Sequence, residues 1–485
     1  MDIFSSLPPE LRLEIFLRLR TTSKIAPLIR ASPTMFAQYQ TSKKQIRLAL
    51  LRHEFDDDSL QDAMAIVLFP LMHPTDTDFS GISRHMKLWG SAQLPNPFQE
   101  HDINMLKSLD GLYTRLAMYM EHYITKATAI YPPRAYLALP DLSPRRGPST
   151  FRNKSIGLET LKLDDLNDQE RHRLLRAFLR YEFMCKLYHP RQGSFDELDP
   201  INHLRIDEHF SLQSWEYEAI RCVHKYVQTL YGAVFAHHAN SWLPNVPKVP
   251  FTQSFDTVSE RELLFPDNVL FLPSSYYCDF RLIQRTPHLT TQALADFGFD
   301  LITFILRFPR DVAGCSALLK QWLCTFSERS QSRLAYLGPL TTFLIGRPNL
   351  GDPTCESWKQ LPGMVRELSS QLHPEVEGFI YHVYQQRAWV FFDDARHYPH
   401  QSTSFHFPTE KQLMENREHM LKIYFLDLLL AASQRRSQAW HNGNYTARID
   451  ENEPGHCETF SFGDEDASRV LRFFEAFSSD ESSIF

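Results

Sequence analysis

The chain has 485 residues, a formal net charge of −7 and a hydrophobic fraction of 43%. At roughly 150 residues per domain the length predicts about three domains with ample buried cores, and the mild acidity removes any overall electrostatic reason to bind phosphate backbones or anionic membranes. Aromatic residues at 13% against only 17 glycines favour bulky helix-packing cores over glycine-punctuated hairpins or propellers, so the expected fold class is mainly α with at most a few short strands.

At the start, MDIFSSLPPE offers neither the basic residues nor the continuous apolar run of a secretory signal. The stretch LPPELRLEIFLRL, residues 7 to 19, then reads as a helix: Pro8 and Pro9 fix helical dihedrals where missing amide hydrogens cost nothing, and Glu10 follows at the positive helix end. At about 100° per residue, Leu11, Ile15, Phe16 and Leu19 cover one broad face, and Leu13 and Leu17 form a second apolar strip. Two apolar surfaces call for two covers. Ser23 is placed to cap a second helix with Pro27 in its first turn, and Ser32 a third that has Pro33 at its first position and runs through Met35, Phe36 and Tyr39. A fourth is expected from about Ser42 through Ile46, Leu50 and Leu51, with another from Ser59 after Asp56, Asp57 and Asp58.

Further along, three apolar stripes predict long amphipathic helices: Leu112, Leu116, Tyr119 and Tyr123; Leu174, Phe178, Tyr181, Cys185 and Tyr188; and Ile220, Val223, Val227, Leu230 and Val234. Asn167 and Glu170 predict a capping-box start for the second. Arg173, Arg176 and Arg180 lie off its apolar stripe and read as a solvated basic face. The proline-rich segments at residues 131–150 and 244–250 read as loops, the first as a domain seam. FGFDLITFILRF, broken by Asp300 and Arg307, is a core helix, not a membrane span. AWVFFDD, residues 388 to 394, is a candidate strand. The seven cysteines are scattered and never spaced as CxxC, which suits reduced thiols and implies an intracellular protein, cytoplasmic, nuclear or both.

LPPEL followed by Ile15-Phe16 and Leu19 resembles the F-box pattern, and three short helices within about 45 residues match an F-box in count and length. Ala31-Ser32-Pro33 and Phe36 stand where many F-boxes carry a Cys-Lys-x-Trp feature; this variant, ASPTMFAQYQTSKKQI, and QQRAWVFFDDAR at residues 385–396 resemble a group of filamentous-fungal F-box proteins. The resemblance implies a three-helix module that docks on a Skp-type adaptor and through it a cullin, with Leu7, Pro8, Leu11 and Ile15 at interface positions; Pro9, Glu10, Phe16, Leu19 and Leu28 complete the candidate contact set. One strip of the first helix would then face the module's own helices and the other the adaptor.

Sequence signals for catalysis and metal binding are weak. The chain carries no GxSxG elbow, P-loop, HExxH or dinucleotide fingerprint, and GRPNLG at residues 346–351 lacks the Lys-Ser/Thr of a phosphate cradle. His237-His238 and Cys222-x-His224 point to different helix faces and lack a second cluster at zinc spacing. Asp393-Asp394 and Asp56 to Asp58 read as caps or turns. Ser143, followed by Pro144-Arg145-Arg146, is a candidate phosphosite. The expectation is therefore an F-box-like module at residues 1–55, a helical segment at 56–150 and a helical body at 151–485. Together they would form a non-catalytic substrate receptor of a ubiquitin ligase, without cofactor or metal, holding an unidentified protein client. The alternatives are a helical scaffold without a ligase role or a helical enzyme with an unfamiliar site.

Overall fold

The computed structural model describes residues 2–19, 22–70, 80–129, 132–142, 149–151, 154–188, 214–238, 287–307 and 382–393, with Leu212, Leu243, Phe271, Leu340 and Leu344 singly. Among these residues 76% are helical, so the chain is mainly α. In order they form α1 (Pro9–Leu19), α2 (Thr22–Ala31), α3 (Pro33–Glu54), α4 (Asp57–Val67), α5 (Ser80–Gly90), α6 (Pro97–Glu100), α7 (Ile103–Ala127), α8 (Pro132–Ala135), α9 (Asp168–Leu187), α10 (Ser214–His238), α11 (Pro287–Ala295) and α12 (Gly298–Arg307). Two short strands, β1 (Thr150–Phe151) and β2 (Lys154–Ser155), pair antiparallel. The chain divides into two compact units, residues 1–121 with 161–183, and residues 122–160 with 184–485. The first proline-rich stretch lies inside the second unit.

The three apolar stripes are buried on α7, α9 and α10. Asn167 caps α9 as a capping box, its Oδ1 accepting from Glu170 N at 2.9 Å while Asn167 N donates to Glu170 Oε2 at 3.2 Å. Three local expectations are corrected. No helix starts near Ser42, because α3 runs unbroken for 22 residues. The helix expected from Ser59 begins at Asp57, with Asp56 as its cap accepting from Ser59 N at 2.7 Å. Ala388 to Asp393 do not form a strand: residues 382–386 are helical, and the chain then turns through Ala388, whose φ is 56°.

The first unit is organised by charge pairs on α9. Arg171 meets Glu54 at 3.2 Å, Arg176 meets Asp58 at 3.4 Å and Arg180 meets Asp62 at 3.0 Å, so Arg176 and Arg180 of the expected basic face are paired with carboxylates. Acidic residues at steps of four on the end of α3 and on α4 thus face arginines at steps of five and four on α9. Asp62 is the buried centre, accepting also from Trp89 Nε1 at 2.9 Å. Burial raises its carboxyl pKa, and Arg180 and Trp89 oppose that rise. Phe69, His85 and Trp89 pack their rings around Phe183. At the α3–α7 contact, Arg47 reaches Asp110 at 2.6 Å, and the Phe55 and Tyr113 rings meet edge to face.

In the second unit, buried polar side chains hold main chain. Gln386 brackets Phe271, accepting from its N at 2.9 Å and donating to its O at 2.7 Å, as a neighbouring strand would. The Tyr123 and Tyr136 hydroxyls donate to the carbonyls of Gln385 and Gln386. Arg387 donates to Ala129 O at 2.6 Å, satisfying a carbonyl just beyond the end of α7. Gln385 bonds Glu218 at 2.9 Å on α10, where Arg221 also pairs with Glu218 at 3.3 Å. Lys126 is fully enclosed: its amine donates to Tyr136 O at 3.0 Å and lies 5.2 Å from the Tyr136 ring centroid and 6.0 Å from that of Tyr226. Burial pushes its pKa well below the ordinary lysine value.

Removing one member of a buried ion pair strands the other charge at a cost of about 3–5 kcal/mol. Arg180→Ala is therefore expected to lower unfolding free energy by that order in urea titrations of the full chain, and Arg180→Ala with Asp62→Ala to lose less than the two single variants combined. Gln386→Met leaves the buried N–H and C=O of Phe271 without their partner, for an expected loss of about 2–5 kcal/mol in the same titration.

Candidate protein-docking site

The N-terminal helices close a core of their own. Phe16, Ile25, Met35, Ile46 and Leu50 form it, with Phe4, Leu13, Ile15, Leu19, Leu28, Ile29 and Tyr39 packed around them. Phe16 is 0% exposed, and its ring lies 5.8 Å from that of Tyr39. Pro9 opens α1, and the Pro8 carbonyl closes its first turn by accepting from Arg12 N at 3.2 Å. α2 includes Thr22, which places Ser23 inside the helix instead of at its cap, and Pro27 falls mid-helix, where it removes one backbone bond.

One carboxylate secures the entry to this module. Asp2 accepts from Phe4 N at 3.0 Å through one oxygen, capping the helical turn Ile3–Ser6. Its other oxygen accepts from Ser32 Oγ at 2.6 Å and Thr34 N at 3.1 Å. Ser32 in turn accepts from Met35 N at 3.0 Å as the cap of α3. The hydrogen bonds from Ser32 and Thr34 hold the Asp2 carboxyl well below the usual carboxylate range.

The candidate contact residues separate into three groups. Pro8, Pro9, Glu10 and Leu11 are exposed, Leu11 at 52%; Leu7 is half-buried. Ile15, Leu19 and Leu28 are half-buried with part of their surface against the module core. Phe16 is wholly inside, so it holds α1 down and is not available to a partner. Of the two apolar strips, Leu13 packs on the core and Leu17 is half-buried, while Leu11 is turned outward, away from Phe16 of its own strip. Ile3 at 77%, Phe36 at 47% and Leu48 at 39% are exposed large apolar side chains that the expected contact set lacked. Phe36 stands out in the sequence by its resemblance to the tryptophan position of F-box patterns, whereas Ile3 and Leu48 carry no local signal.

The remaining candidates that the structure describes are engaged with neighbouring polar groups. His224 faces Asp296 at 3.1 Å and Gln228 at 3.1 Å, while His237 bonds Leu137 O at 2.9 Å. Among the described residues no group of three or more His, Cys, Asp or Glu is gathered to hold a metal ion, and no helix is long and apolar enough to cross a membrane. Ser143, Asp394, the loop at 244–250 and GRPNLG lie outside the described residues. Compared with models of protein families, with curated proteins and with solved structures, the chain matches none.

Because the Asp2 carboxyl titrates below its unfolded value, its contribution is fully present above the unfolded pKa and is lost as pH falls toward the folded one. Asp2→Asn is expected to lower the melting temperature near pH 6, with the gap to wild type constant down to about pH 4 and narrowing only as pH falls further, in parallel thermal melts followed by circular dichroism.

Proposed function

We propose that residues 1–54 are the adaptor-docking module of a substrate receptor in a Skp, cullin and F-box ubiquitin ligase, and that the rest of the chain holds a protein client without catalysing a reaction. The observation that carries this reading is that the module closes a core around Phe16 and still leaves Leu11 half in water beside exposed Pro8 and Pro9. A fully buried leucine contributes roughly 1.5–3 kcal/mol, so a partner that covers Leu11 gains a sizeable part of that amount. The F-box-like spacing of LPPEL, Ile15-Phe16 and Leu19 supports the choice of a Skp-type adaptor as the partner. On this reading the protein works inside the cell.

Ile15 touches the module core, so Leu11 is the cleaner residue to test. Leu11→Asp is expected to abolish co-purification with a Skp-type adaptor while leaving the circular dichroism spectrum and melting temperature of the full chain unchanged. Undiminished co-purification of a folded Leu11→Asp chain rejects the ligase role.

A further inference from the structure

Residues 1–54 contain nine Lys and Arg against four Asp and Glu, a net of +5 in a chain whose total is −7. Some of these cations are used internally: Arg18 pairs with Glu14 at 2.9 Å and Arg47 with Asp110 at 2.6 Å. Lys24, Arg30, Lys43, Lys44 and Arg52 are exposed and form no ion pair among the described residues. Their placement on α3 is ordered. Phe36, Gln40, Lys44 and Leu48 follow one another at steps of four and are all exposed, with Lys43 beside them, while Met35, Ile46 and Leu50 of the same helix are buried. Such a row is one ridge of the helix, about 18 Å long at a rise of 1.5 Å per residue. It presents an apolar end, a cationic middle and a second apolar end.

We infer that the partner of this module presents an acidic surface with apolar margins, and that the cations of the α3 ridge steer its approach. This rests on the docking reading above and adds to it the charge of the partner and a second contact helix. A protein surface is favoured over nucleic acid because Ile3, Leu11 and Leu48 are aliphatic and Phe36 is the one aromatic among the module's exposed large apolar side chains. Single-stranded nucleic acid is bound on several stacking aromatics. Opposite charge acts mainly on encounter: it raises association rates by about 10- to 1,000-fold and is screened by salt, while dissociation is governed by the apolar contacts.

The test uses the full-length chain and a purified Skp-type adaptor, with association and dissociation rates followed at about 50 mM and about 500 mM salt, where the screening length shortens roughly threefold. The expected result is a wild-type association rate that falls about tenfold or more with salt. Lys43→Glu with Lys44→Glu is expected to be about tenfold slower at low salt with an unchanged dissociation rate, and Lys43→Gln with Lys44→Gln to fall between the two. The glutamine pair keeps the test decisive should the glutamate pair fold poorly. If Leu11→Asp abolishes binding but the lysine variants and salt leave association unchanged, the docking reading stands and the steering inference is overturned. Failure of the wild-type chain to bind the adaptor, or undiminished binding by Leu11→Asp, overturns both. Tighter binding of a mixed-sequence RNA than of the adaptor overturns the inference in favour of nucleic acid.

Discussion

The first unit depends on the buried carboxylate of Asp62 and the guanidinium of Arg180 meeting at 3.0 Å. Neither charge tolerates burial alone, so α4 and α9 have one register in which both are satisfied. The neighbouring pairs Asp58 with Arg176 and Glu54 with Arg171 extend that register to the end of α3. α3 therefore belongs to two packed regions at once. Its first half completes the core around Phe16, and its last residues, Leu51 and Glu54, are buried where Arg171 meets the helix. A surface displayed on α1 and α3 is thus carried on a rooted helix, which lowers the ordering cost a flexible tail would meet on binding.

The second unit reaches definition by a different route. Glutamine and tyrosine side chains replace missing backbone partners: Gln386 does for Phe271 what a neighbouring strand would do, and Tyr123 and Tyr136 complete carbonyls at the end of the short helix that precedes the turn. Neutral groups of this kind fix geometry by direction with less desolvation than a buried ion pair demands. Their failure to pair would still be costly, which ties the turn at Ala388 to residues distant in the chain.

Periodicity made α7, α9 and α10 legible, because a stripe at steps of three and four requires no knowledge of its neighbours, whereas α5 and α11 were not read from the sequence and α8 lies in a stretch read as a loop. The capping box at Asn167 was legible for the same reason, with donor and acceptor three residues apart. The decisive pairings were not, since Ser32 lies 30 residues from Asp2, Gln386 115 from Phe271 and Arg180 118 from Asp62. AWVFFDD shows the limit of composition: its aromatic run suits a strand, and the long-range bonds around it impose a turn. On α1 a leucine-rich pattern admits more than one inward face. Packing by Phe4, Ile25 and Met35 selects the one that turns Leu11 outward, so the candidate surface was readable in outline but not residue by residue.

Shut away among tyrosine rings, the Lys126 amine is beyond the reach of acylating reagents, and its lowered basicity belongs to the buried state, so opening of this unit would restore both its access to water and an ordinary lysine's basicity. An acyl group found there would record that this unit had opened. By adding bulk where none fits, it would also hinder reclosure.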